Sequence, residues 1–133
     1  MRSLLTRLVL SLFVLLGLVV SGQSETTAPA EHSQKLAKIY TKAETAEYIS
    51  VLKETMAALA AKDKKLMVMK LTDLEAMWDG NEDELKSRNE AQWKFIDATL
   101  DRGINSLRST SYDEVKGKQA LDDLLKILTD STK

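Results

Sequence analysis

From about residue 45 to residue 128, apolar positions recur at intervals of three and four, the spacing of one face of an α-helix. Ile49, Leu52, Met56 and Leu59 set the first stripe and predict a helix over about Thr45–Ala61. Met67, Leu71, Leu74, Trp78 and Leu85 set the second, with Asp63 placed to cap it. Trp93, Ile96, Leu100, Ile104 and Leu107 set the third, opened by Asn89 and Gln92 as a capping box. Val115, Leu121, Leu124, Leu125 and Leu128 set the fourth, opened in the same way by Ser111 and Glu114. Leu36, Ile39 and Tyr40 extend the first pattern upstream, across a weaker run from Thr41 to Thr45. No alternating strand pattern competes.

The second stripe contains one ambiguity. Asp79-Gly80-Asn81 reads as a turn, with Asn81 and Glu84 opening a new helix. A mid-helix glycine costs only about 1 kcal/mol, however, and the stripe keeps its phase across it. The expectation is one continuous helix, Lys64–Ser87. Gly103, beside Ile104, offers a neighbouring helix a close approach. The short links around the third helix require antiparallel neighbours. The expected fold class is all-α: an up-down antiparallel four-helix bundle over residues 45–129, with a three-helix core and a loosely attached first helix as the alternative. Residues 130–133 read as a frayed tail.

A different pattern precedes these stripes. Leu8 to Val20 is apolar except for Ser11 and Gly17, follows Arg2 and Arg7, and gives way to small residues. Residues 1–22 therefore read as a signal-peptide helix, cleaved near Gly22 or Ser24. As a helix the run reaches roughly 20 Å, short of a hydrocarbon core of about 30 Å. An uncleaved N-terminal anchor is the alternative. The expected location is periplasmic or secreted. Residues 23–44 read as a flexible leader, part helical toward its end, that holds Pro29 and His32, the only residues of their types.

Composition narrows the chemistry. A chain of 133 residues supports one domain, and 29% charged residues with a single proline suit helices. With 5% aromatic residues, the core is built mostly from Leu, Ile, Met and Ala. The absence of cysteine excludes disulfides, thiolate metal sites, cysteine nucleophiles and a lipid-modified N-terminal cysteine. Net charge is −1, and removal of residues 1–22 takes Arg2 and Arg7 with it to leave −3. Nucleic acid rewards a basic face and is a poor partner for such a chain.

The candidate chemistry lies beside the second and third stripes. At about 100° per residue, Asp97, Asp101 and Arg108 share one flank of the third stripe, and Glu75, Asp79 and Lys86 flank the second. One reading is a polar ligand-binding rim next to Trp78 and Trp93. The other is a set of inter-helix ion pairs that fix register, with both tryptophans in the core and their indole N–H groups at its edge. Met67 and Met69 lie about 200° apart on a helix and cannot chelate one ion. No histidine falls within the four helices to ligate haem, and no Glu-x-x-His supports di-iron chemistry. No metal or cofactor is expected. Neither a glycine-rich phosphate loop nor a nucleophile elbow is present.

The run Leu71-Thr-Asp-Leu-Glu-Ala-Met-Trp-Asp79, then Glu84-Leu-Lys86, Trp93-Lys-Phe-Ile-Asp97, Asp101 and Leu107-Arg108, resembles a group of small exported bacterial helical proteins of unassigned function. Their pattern is Leu-Glu-x-x-Trp-Asp, Trp-x-x-Ile-Asp and Leu-Arg before a leucine-rich last helix. The resemblance covers about Leu71 to Leu128, and Gly80 and Asn81 depart from it. It implies an all-helical fold and a bacterial envelope location, and it implies no activity.

The functional expectation is an exported, non-enzymatic helical protein that acts by protein–protein contact or self-association. Its partner would be an envelope protein or itself, with no nucleic acid and no stable membrane insertion after cleavage. The alternative is a small-molecule sensor or carrier with a pocket between the second and third helices. The binding residues under either reading are Trp78, Asp79, Lys86, Trp93, Asp97, Asp101 and Arg108.

Overall fold

Thr41 starts the first helix. Its hydroxyl accepts from the Glu44 N–H, and the Glu44 carboxylate accepts from the Thr41 N–H at 2.6 Å, a complete capping box. The structure, a computed structural model, describes residues 35–133. The expected signal peptide, its cleavage sites and the leader through Gln34 lie outside them. Five helices follow in order: α1 (Lys42–Ala60), α2 (Lys64–Gly80), α3 (Glu82–Arg88), α4 (Glu90–Arg108) and α5 (Glu114–Asp130). The fold is all-helical, and the described residues contain no strand, only one isolated bridge. α1 packs on α2 and α5, while α4 packs on α5, α3 and α2.

The stripes supply the core. Leu52, Leu59, Met67, Leu71, Leu74, Trp78 and Leu85 are buried, as are Trp93, Ile96, Leu100, Ile104, Leu107, Leu121, Leu124 and Leu128. Ile49, Met56 and Leu125 pack against them half-buried. Val115 departs from its stripe and is 81% exposed. It lies six residues before Leu121, roughly 240° around the helix and away from the core. The predicted Ser111 cap is likewise displaced, because Asp113 caps α5 by accepting from the Lys116 N–H at 3.0 Å.

The expected continuous second helix is two helices. Asn81 breaks it with φ −110° and ψ 13°. The Asn81 amide turns back, donating to the Tyr48 hydroxyl at 2.8 Å and to the Met77 carbonyl at 2.9 Å. An Asn side chain that bonds locally competes with the helical ladder, and Gly80 before it packs against nothing that would hold the helix straight. The capping box at Asn81 does not form either, since its side chain caps nothing in α3. The break uses a single residue, which is why Leu85 stays in phase and buried.

The described residues that flank the first and last helices pair with one another. Tyr40 is 1% exposed and bridges Thr132 in parallel. Ile39 and Tyr40 donate to the Ser131 carbonyl, and the Lys133 N–H donates to the Tyr40 carbonyl at 2.8 Å. Tyr40 fills the core and Ser131 is fully buried.

Candidate functional site

Trp78 on α2 and Trp93 on α4 face one another across the helix interface. Their rings are stacked, 6.2 Å between centroids and 8° from parallel. The Tyr48 ring meets Trp78 edge-on at 5.7 Å. On α3, the Lys86 ammonium stands 5.0 Å from the Trp93 ring centroid, within cation–π range. The Trp78 indole N–H donates to Asp97 at 3.2 Å. Sequence periodicity therefore brings Trp78, Trp93, Asp97 and Lys86 together. It does so as packing, with the tryptophans 3% and 7% exposed and ring against ring where a ligand would have to lie.

The other expected residues lie apart from that cluster. Arg108 donates to Glu75 at 2.6 Å and to Thr72 at 2.8 Å, bracing α4 against α2. Lys86 also pairs with Glu82 at 3.3 Å, four residues back. Asp79 and Asp101 are exposed. A carboxylate on one helix does reach the base of its neighbour, in Glu75–Arg108. The Trp93 indole N–H is buried with no hydrogen-bond partner.

Two polar constellations carry no advance sign in the stripes. Gln92, 2% exposed, accepts from the Ala37 N–H at 2.8 Å and donates to the Ala37 carbonyl at 2.9 Å and the Ser131 hydroxyl at 3.0 Å. It pairs with a backbone as a neighbouring strand would. Only half of the Asn89–Gln92 box forms as a result: Asn89 caps the Gln92 N–H, and the Gln92 side chain goes elsewhere. The second constellation is a groove of about 350 Å³ between α1 and α3, lined by Glu44, Glu47, Tyr48, Asn81 and Glu84 among others. Arg88 spans its edge, reaching Glu44 and Glu84 at 2.5 Å each. The Arg88 guanidinium, helped by the Thr41 N–H, holds the Glu44 carboxyl down at about 2. The capping box Thr41-x-x-Glu44 was the available sequence signal for this corner.

Among the described residues no group of three His, Cys, Asp or Glu side chains could hold a metal ion. No helix among them is long and apolar enough to cross a membrane. Comparison of the chain with protein-family models, curated proteins and solved structures finds no match.

Proposed function

We propose that this chain is an exported helical protein that works through contact with a protein partner, another envelope protein or a second copy, and catalyses no reaction. The observation that carries the reading is the closed Trp78–Trp93 stack, with Asp97 on one indole and Lys86 over the other. The polar residues nearest the core are engaged in bracing helices, which leaves outer surfaces to do the work. A pocket between α2 and α4 is disfavoured by the same stack. The N-terminal apolar run behind Arg2 and Arg7 supports export, with a periplasmic or secreted destination. The resemblance to small exported helical proteins points the same way.

Within this reading the long helices run up and down as a four-membered bundle. Each of α1, α2, α4 and α5 packs on two of the others, and α3 is a short joint between α2 and α4. Links of three and five residues at 61–63 and 109–113 support antiparallel neighbours.

Crosslinking in intact cells tests the function. A discrete crosslinked partner or dimer is expected, together with a mature N-terminus near residue 23 by mass spectrometry. Tryptophan emission should stay unmoved across a small-molecule screen. Asp97→Ala combined with Asp101→Ala should lower the melting temperature through loss of the Trp78 partner. A small molecule that shifts the emission, and loses affinity in that double variant, would replace this reading with the sensor.

A further inference from the structure

At one end of the bundle the α1–α2 turn meets the α4–α5 turn. Lys62 pairs with Glu114, and the Lys64 ammonium stands 4.9 Å from the Tyr112 ring centroid. Among the described residues the exposed large hydrophobic side chains, Leu66, Met69, Tyr112 and Val115, belong to this end. Side chains lean toward the N-terminus of their helix, and α2 and α5 both begin here, so Leu66 and Val115 lean past the bundle. Lys62, Lys64, Lys65 and Lys116 share the end with Asp63, Asp113 and Glu114. Those carboxylates are already engaged, Asp63 by the Leu66 N–H, Asp113 by Lys116 and Glu114 by Lys62. Lys62 and Lys116 are taken up by the same pairs, so the end carries an excess of one cation, from Lys64 and Lys65 against Asp63.

The turn itself is unusual. The Lys62 N–H donates to Leu59 and the Asp63 N–H to Ala58, the two bonds of a Schellman motif. Its left-handed position normally takes glycine, and here it holds Lys62 at φ 59°. Lysine in this position costs about 1 kcal/mol relative to glycine.

The geometry points to this end as a docking surface for a membrane of anionic phospholipid, a role beyond the protein contact proposed above. Leu66 and Met69, three residues apart, share one face of α2 close to the exposed Lys64 and Lys65, and Val115 precedes the exposed Lys116 on α5. Apolar side chains interleaved with lysines match an interface of acyl chains and phosphates. The cleft between the turns, about 210 Å³ and walled by Lys62, Lys64, Tyr112 and Glu114, fits one headgroup better than a helix. Each lysine contributes roughly five-fold to binding at an anionic surface, and salt weakens it. The contact is with the surface and spans nothing.

The cysteine-free full-length chain permits a local test that its N-terminal apolar run does not confound. A polarity-sensitive fluorophore on Val115→Cys is expected to shift to the blue with phosphatidylglycerol-containing vesicles. It should shift far less with phosphatidylcholine alone, and the same label on Lys42→Cys should stay unshifted. Lys64→Glu with Lys65→Glu should weaken the shift at least ten-fold in lipid concentration without lowering the melting temperature. Lys62→Gly should melt no lower than the parent yet dock more weakly. No blue shift on anionic vesicles, an equal shift on neutral ones, or a shift given by polyglutamate instead would overturn the proposal. Unchanged docking in both lysine variants would do the same.

Discussion

Lys62 illustrates how one side chain can oppose the stability of its own turn. Replacing it with glycine removes the left-handed penalty and costs only an exposed ion pair with Glu114. Lys62→Gly should raise unfolding free energy by about 1 kcal/mol in denaturant titrations. Gln92 acts in the opposite sense. Gln92→Leu removes the partner of the Ala37 N–H and one of two donors to its carbonyl, which keeps the Ile39 N–H; because Ala37 is exposed, the loss should cost about 1–2 kcal/mol, with faster amide exchange at Ala37. Glu44 gives a pH dependence whose sign follows from its lowered pKa. Its contribution is complete above the usual 4.5 and fades as pH falls toward about 2. Melting curves across that interval should therefore fall more steeply for the parent than for Glu44→Gln, modestly so because the pair is partly exposed. The Thr41–Glu44 box could be read from four consecutive residues. The role of Gln92 could not, because its partners lie 55 and 39 residues away and the same spacing also describes an ordinary capping box.

Two glycines set the closeness of α4 and α5, and their substitution should separate cleanly. A Cβ on Gly117 would fall 2.3 Å from a Leu107 methyl carbon, inside a fully buried side chain. Gly117→Ala should destabilise by about 1–3 kcal/mol through overpacking. A Cβ on Gly103 meets Leu121 at 3.4 Å, ordinary contact. Gly103→Ala should be neutral or mildly stabilising, since alanine favours the helix, and thermal melts of the two variants decide the comparison. Periodicity located Gly103, beside Ile104, but passed over Gly117, because a residue without a side chain adds nothing to a hydrophobic stripe. The α2–α3 break was equally hard to read. Gly80 alone leaves the phase unchanged, and the deciding contact, Asn81 to Tyr48, joins residues 33 apart. The buried seams themselves were legible because burial of large apolar groups repeats with the helix and needs no knowledge of partners.

For the molecule as a whole, the candidate site was legible as a set of neighbours and illegible as a function. Spacing placed Trp78, Trp93, Asp97 and Lys86 near one another. Whether two indoles frame a cavity or close on each other depends on the separation of α2 and α4, which no stripe encodes. The pairing of the ends is illegible for a related reason: Tyr40 reads with Leu36 and Ile39 as an upstream extension of the first stripe, and its partner Ser131 is a single polar residue after the last helix. Their pairing nevertheless has a consequence for how this unit can be rewired. Because the Lys133 N–H reaches the Tyr40 carbonyl, a short linker from residue 133 to residue 35 should be accommodated without strain. A circular permutant opened at Thr110, between α4 and α5, should keep a helical circular-dichroism spectrum and cooperative unfolding, and it would carry both new ends to the other end of α5, away from the pairing of Tyr40 with Ser131 and Lys133.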